Sequence, residues 1–191
     1  PLTLMVVAVG PFSEAFHRLT VGDRVWFRGP RGQGFTLPAS PAGRHLLLVG
    51  GGYGVAPLLY LARRAKADGC TVEVCVGART ADDVLLIDDF VETGAEVSVT
   101  TEDGSAGLRG WVTAAMDIAL RQRRPDGVYA CGPEPMLKAV ESRCRAAELP
   151  HQLSWEARMR CGMGICGACE VHGRHSEAWL ACSDGPVSKG V

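Results

Sequence analysis

An α/β fold centred on a doubly wound parallel sheet is what this 191-residue sequence predicts, and three features predict it. Short apolar strands alternate with helix-length segments from Leu46 onward, the order that builds a parallel sheet covered on both faces. A glycine turn, Gly50-Gly51-Gly52-Tyr53-Gly54-Val55-Ala56-Pro57, sits between the first of those strands and the first helix. A cysteine-rich tail follows the last of them, so the sheet is expected to carry a small C-terminal module.

The N-terminal part reads differently. Leu2 to Val9 and Arg24 to Arg28 are strand-like, separated by the loop Gly10-Pro11-Phe12-Ser13 and a turn at Val21-Gly22-Asp23. Two such strands are too few to close a barrel, so the expectation is a partial antiparallel β structure completed by a further segment or by another chain. After the Pro/Gly-rich stretch from Gly29 to Gly43 come the strand Leu46 to Val49, the helix Val55 to Ala67 and the strand Thr71 to Val76. A helix from Asp82 to Glu92, a strand from Glu96 to Thr100 and a helix from Arg109 to Arg121 succeed them. The strand Gly127 to Ala130, the helix Pro133 to Ala147 and a strand near Gln152 to Trp155 complete the series.

The tail holds Cys161, Cys166, Cys169 and Cys182 in the order C-x4-C-x2-C-x12-C. The first three positions follow the plant-type [2Fe–2S] spacing. Structural zinc usually takes paired C-x2-C knuckles, and here only Cys166 and Cys169 make such a pair. The interleaved glycines favour the cluster further, because backbone N–H groups must turn toward its sulfides. Zinc and a disulfide knot are the alternatives. His172 and His175 read as exposed polar residues rather than ligands, since four cysteines already fill the site.

Composition narrows the function classes. With a net charge of -1 and pI ≈ 6.6 there is no basic stripe for a phosphate backbone, so nucleic acid is not an expected partner. Apolar runs such as Leu46 to Val49 fall far short of a bilayer span, and no membrane association is expected. Half of the eight cysteines belong to one metal-type constellation, which suits a reducing cytoplasm better than a secreted disulfide scaffold. Cys70, Cys75 and Cys144 read as small buried hydrophobes.

Gly50, Gly51, Gly52 and Gly54 let the backbone approach a pyrophosphate at a helix N-terminus; the plain alternative is a tight turn that binds nothing. Tyr53 reads equally as a stacking surface or a rim residue. Further strand ends carry Gly77-Ala78-Arg79-Thr80, Thr101-Glu102-Asp103-Gly104 and Cys131-Gly132-Pro133-Glu134-Pro135-Met136. In an open parallel sheet these ends line one crevice and should converge on one cofactor. Cys131 has two readings: a small side chain leaving room for hydride transfer at a nicotinamide, or ordinary packing.

The glycine turn, the Cys131 to Met136 segment and the tail from Glu156-Ala157-Arg158-Met159 through Cys182-Ser183-Asp184-Gly185-Pro186-Val187 resemble the electron-transfer subunit of class 1B dihydroorotate dehydrogenase. The likeness runs over essentially the whole chain. It implies a ferredoxin-reductase-like FAD-type β-barrel, of which residues 1–40 would be a remnant, an NAD-binding doubly wound domain over 41–150, and a [2Fe–2S] module over 151–191. It also implies FAD beside Gly29-Pro30-Arg31-Gly32-Gln33-Gly34-Phe35, so that Gly32, Gly34 and Phe35 are cofactor-binding candidates, together with Gly132 and Pro133 near NAD. The implied partner is an FMN-containing dihydroorotate dehydrogenase catalytic subunit. Two motifs depart: the family's Arg-Pro-x-Ser is absent, and its Gly-x-Gly-Thr loop appears as Gly10-Pro11-Phe12-Ser13, with Ser13 standing in for the threonine hydroxyl. Similar tails occur in sulfhydrogenase gamma-like subunits and in the small subunit of NADH-dependent ferredoxin:NADP oxidoreductase. In the latter the first cluster ligand is typically aspartate, whereas this chain has Cys161. A zinc-stabilised nucleotide-binding adaptor is the reading from outside the enzymes.

Overall fold

The computed structural model describes residues 3–171 and 179–190; His172 and His175 lie outside the described residues. The chain forms two compact units, Pro1–Arg31 and Gly32–Val191.

In the first unit the expected strands Leu2 to Val9 and Arg24 to Arg28 do not form. A strand persists only where a neighbour takes up its ladder hydrogen bonds, and neither segment pairs with another among the described residues. The expected loop at Gly10 to Ser13 is instead the start of a helix, α1 (Pro11–His17). Pro11 presets the first helical φ, and the Ser13 hydroxyl accepts from Val9 N–H at 2.9 Å and Gly10 N–H at 3.1 Å, fastening the turn. Val9, Phe12, Val21 and Trp26 stay exposed.

The second unit is the doubly wound sheet. Its strands are β1 (His45–Gly51), β2 (Thr71–Ala78), β3 (Glu96–Thr101), β4 (Leu108–Arg109), β5 (Gly127–Cys131), β6 (His151–Ser154) and β7 (Val187–Gly190), in the order β4-β3-β2-β1-β5-β6-β7. All pairs are parallel except β6 with β7. β1 is buried along its whole length because both its faces are covered. Leu46 and Leu48 pack with Val55, Leu58 and Ala62 of α2 (Val55–Ala67) and with Phe90 of α3 (Ile87–Glu92). Leu47 and Val49 pack with Met116 of α4 (Val112–Gln122) and Leu137 of α5 (Glu134–Ala146). Full burial of each leucine stabilises by roughly 2 kcal/mol.

Three expectations shift. The helix expected from Asp82 begins only at Ile87, because Leu86 takes a left-handed conformation with φ 61° and leaves a single 3-10 turn, Ala81–Asp83, before it. The helix expected from Arg109 begins at Val112: Leu108–Arg109 pairs with β3, and Gly110 at φ 134° breaks the chain between them. β7 was not anticipated, since four residues without alternation carry no strand signal. It brings the end of the tail back to the sheet edge.

At the amino ends of β1 and β2 the core contains a polar pair. The His45 Nε2 and Glu73 Oε2 lie 3.5 Å apart with both side chains nearly enclosed, and Nε2 has no hydrogen-bond partner. Burial pushes the histidine down and the glutamate up from their ordinary values. A glutamate whose folded pKa is raised supports the fold while protonated, and that support is lost as pH rises through the folded value. Glu73→Gln is therefore expected to unfold at a higher temperature than the parent at pH 8. The advantage should vanish as pH falls below 4.5, the ordinary glutamate value. Thermal unfolding of both proteins across that range checks it.

Candidate nucleotide and iron–sulfur sites

The chain winds outward from β1 in both directions, to β2 on one side and β5 on the other, with α2 and α3 on one face and α4 and α5 on the opposite one. The carboxyl ends of β1 and β5 therefore flank the switch point, where such sheets bind their ligands. Gly50 and Cys131 stand opposite each other there. The glycines do different jobs. A Cβ on Gly50 would lie 2.7 Å from Val55 Cγ1, one on Gly51 2.6 Å from Met136 Sδ, and one on Gly54 2.0 Å from the Cys131 carbonyl oxygen. One on Gly132 would meet Met136 Cε at 2.7 Å. These four let two turns interlock. Gly52 alone in the turn combines a left-handed φ of 52° with open space where a Cβ would project, so it offers its backbone to a ligand. Tyr53 beside it is largely exposed, and α2 starts at Val55, with the positive end of its dipole toward the crevice. Pro133 caps the start of α5 and lies against Gly51.

The other strand ends gather at the same edge. Glu102 N–H donates to the Ala78 carbonyl at 3.1 Å and Asp103 N–H to the Arg79 carbonyl at 3.3 Å, joining the segments after β2 and β3. Gly77 stands in register with Gly51. Met136 is the contact that sequence reasoning passed over. The signal was its place one helical turn after Gly132-Pro133, where a flexible thioether can fill the gap between two glycines. Cys131 is half-buried, and burial pushes its thiol up, against a smaller opposing effect of the Ser154 hydroxyl. It stays a neutral thiol at physiological pH. Cys70, Cys75 and Cys144 are buried as expected, with Cys75 and Cys144 pushed up to about 12 by burial.

The tail cysteines fall into two pairs. Cys161 and Cys166 hydrogen-bond each other at the surface, and Cys169 and Cys182 do so in the core beside Trp155, Trp179 and Ala181. Backbone N–H groups turn toward the sulfurs: Met163 N–H donates to Cys161 Sγ at 3.4 Å and Gly164 N–H to Cys182 Sγ at 3.2 Å. Donation from Met163, Ile165 and Cys166 pulls the Cys161 thiol down to about 6, whereas burial pushes Cys169 up. Two thiols per iron is the arrangement a two-iron cluster takes, and inward N–H groups are its usual support. The residues fit that group. Among the described residues no three His, Cys, Asp or Glu side chains gather around a single metal ion.

Gly32, Gly34 and Phe35 sit on the tail side of the same unit. Gln33 N–H donates to the Gly185 carbonyl, Val187 N–H donates to Gln33 O at 3.2 Å, and Gln33 bridges to Pro186. Gly32, at φ 66°, is required by protein: a Cβ there would lie 1.9 Å from the Gly185 oxygen. Gly34 faces open space, and Phe35 packs edge-on against Tyr129 with ring centroids 5.9 Å apart. Ser13 belongs to the other unit, and its hydroxyl is engaged within its own turn.

A switch-point crevice with a glycine turn and a loop of paired cysteines thus lie in one unit. The family described as the iron-sulfur cluster binding domain of dihydroorotate dehydrogenase B matches residues 156–191, and the oxidoreductase NAD-binding domain matches residues 48–142. The probable dihydroorotate dehydrogenase B (NAD(+)) electron transfer subunit of Thermococcus kodakarensis is 40% identical over 98% of this chain and 74% of its own length. The electron transfer subunit from Geobacillus thermodenitrificans is 46% identical over 87% of this chain and 63% of its own length. A solved structure of NADH-dependent reduced ferredoxin-NADP oxidoreductase superposes with a TM-score of 0.82 at 35% identity, over 96% of this chain and 65% of that one. This chain belongs to the family of dihydroorotate dehydrogenase B electron transfer subunits. It spans about two-thirds of the length of the curated relatives it matches.

The close approaches predict which glycines the fold needs. Gly54→Ala and Gly185→Ala, whose new Cβ atoms would lie 2.0 Å from Cys131 O and 2.2 Å from Trp179 Cη2, are expected to destabilise by about 2–4 kcal/mol. Gly34→Ala, in open space, should stay within about 0.5 kcal/mol of the parent. Denaturant titration of the three variants measures the contrast.

Proposed function

We propose that this chain passes electrons from dihydroorotate oxidation on an FMN-containing partner subunit, through [2Fe–2S] and FAD, to NAD in pyrimidine biosynthesis. The observation that carries the reading is the backbone tie between Gln33 and the segment 185–187, which holds residues 32–35 of the flavin-type loop, the cysteine loop and the nucleotide sheet in one unit. A relay needs its stations close and fixed. When bound, the cluster supplies single-electron exchange, the flavin couples single and paired electrons, and the nicotinamide takes a hydride.

The chain's own residues position and tune. Cys161 and Cys166 at the surface and Cys169 and Cys182 against the core would hold the cluster, and the Met163 and Gly164 N–H groups would stabilise sulfur charge there. Gly34 and Phe35 offer the flavin an open edge. Gly52 with the start of α2 takes the pyrophosphate, while Gly50, Gly51 and Gly54 let the turn close against its neighbours, and Gly132 and Pro133 close the far side. Cys131, neutral and small, leaves room for the nicotinamide ring and transfers no proton. The three-part division into 1–40, 41–150 and 151–191 follows these cofactors. Among the described residues no helix is long and apolar enough to cross a membrane, and a cytoplasmic location suits cysteines that form no disulfide among the described residues.

The likeness to NADH-dependent ferredoxin-NADP oxidoreductase supports a second reading, a subunit of that type of complex. Cys161, where that subunit typically has aspartate, favours the dihydroorotate system. Co-purification decides: recovery with an FMN-bearing dihydroorotate-oxidising chain supports the first reading, and recovery with a ferredoxin-oxidising chain replaces it. Visible absorption separates both from a zinc adaptor, because a colourless protein with stoichiometric zinc has no cluster.

Two substitutions test the stations separately. Cys166→Ser is expected to bleach the cluster absorption while leaving NADH affinity intact. Gly52→Val forces a β-branched residue into a left-handed turn facing the crevice, and should weaken NADH binding on the order of tenfold while sparing the cluster. Equal loss of both properties in either variant would mean that the residue serves the fold as a whole.

A further inference from the structure

We propose that Asp184 is a positioning residue: its carboxylate closes the turn that carries Cys182 and presents the Gly185 carbonyl to Gln33, so that one side chain ties a cluster ligand to the flavin-type loop. The inference rests on the cluster reading above and deepens it.

Cys182 stands at the centre of a turn that begins at Leu180 and ends at Asp184. The Leu180 carbonyl accepts from the N–H groups of Asp184 at 2.8 Å, Ser183 at 3.1 Å and Gly185 at 3.3 Å. The Leu180 N–H is met by the side chain of Asp184, whose Oδ2 lies 2.8 Å away. Leu180 and Asp184 thus bond in both directions, and the second bond depends on a side-chain acceptor. A carboxylate makes it charge-assisted, an asparagine keeps an oxygen for it, and an alanine has none. Asp184 is exposed, so its removal takes nothing from the apolar cluster around Cys169 and Trp179.

The turn is fastened on three sides to the parts that a relay must hold together. Before it, Leu180 bridges to Glu170, and Ala181 N–H donates to the Cys169 carbonyl at 3.1 Å, which puts the third cysteine in register with the turn. Within it, Cys182 Sγ accepts from Gly164 N–H at 3.2 Å. After it, the Gly185 carbonyl accepts from Gln33 N–H, and Val187 N–H donates to Gln33 O at 3.2 Å. Opening the turn at Leu180 therefore shifts Cys182 and Gly185 together. A single displacement moves a ligand and unfastens Gln33 from the tail.

The test is hydrogen exchange, resolved to single amides, on the 191-residue chain, joined to visible circular dichroism of the iron-loaded protein. In the parent the Leu180, Gly185 and Gln33 amides should exchange through one common opening. Asp184→Ala should speed exchange at Gln33 and Val187 by about tenfold or more and leave the β1 amides unchanged. It should also alter the cluster's dichroism. Asp184→Asn, which keeps the acceptor, should stay within about threefold of the parent in exchange and retain the parent spectrum. Unchanged Gln33 exchange in Asp184→Ala overturns the proposal, as does Asp184→Asn behaving like Asp184→Ala. Should Asp184→Ala fail to fold, the parent decides: Gln33 opening independently of Leu180 overturns the proposal. A parent that takes up no iron would instead remove the cluster reading, and with it the role of Asp184 toward a ligand.

Discussion

Where the turn after β1 meets the turn after β5 there is no room for a side chain, and the geometry of the crevice follows from that. The position of a Gly54 Cβ is taken by the Cys131 carbonyl, and that of a Gly51 Cβ by the Met136 sulfur. Drawing the two turns together sets the start of α2 against Cys131-Gly132 and leaves Gly52 as the open face. A side chain at any of the contact positions would pry the switch point apart from within, before any ligand was concerned. The glycine content of this turn is thus mostly a packing requirement, with one residue left over for binding.

A second close approach integrates the tail. Gly32 against the Gly185 carbonyl and Gly185 against the Trp179 ring lock the cysteine loop to the segment 32–35, while β7 extends the sheet beyond β6. The result is an asymmetric cysteine site. Cys169 and Cys182 are anchored in the same apolar cluster as Leu137 and Leu153, whereas Cys166 is exposed beside a largely exposed Ile165. The surface pair is the one that solvent or another chain can reach. The buried pair faces the interior, where a low-dielectric surround strengthens the tuning effect of each N–H donor.

The sheet was legible because its signal is redundant. Buried parallel strands read as apolar runs, and Leu46 to Val49, or Val72 to Val76 with Glu73 as its one polar residue, admit few other interpretations. Helix ends were less legible, since Leu86 in a left-handed conformation is a tertiary outcome that no local propensity announces. The N-terminal strands failed for the opposite reason: the residues of Leu2 to Val9 favour extended backbone, but pairing is a property of neighbours. At the sites, spacing exposed the cysteines and the glycine turn. It could not separate Gly52 from Gly50, Gly51 and Gly54, because which glycine faces a ligand and which faces protein depends on where β5 ends.

Eight cysteines of one chemical kind are sorted into distinct roles by their surroundings alone. Burial without a donor holds Cys75 and Cys144 near 12, and it raises Cys70 and Cys131 as well. Iron binds thiolate, so these four are poor competitors for it despite their number. Cys161 has the opposite setting: little burial and three backbone N–H donors, which bring it to about 6 and make it ready to ionise near neutral pH. Cys169 is buried and raised, so its ionisation must come from the metal's own charge. The glycines between Cys161 and Cys169 allow this contrast, because a loop free to turn its N–H groups toward sulfur can lower one thiol without burying it.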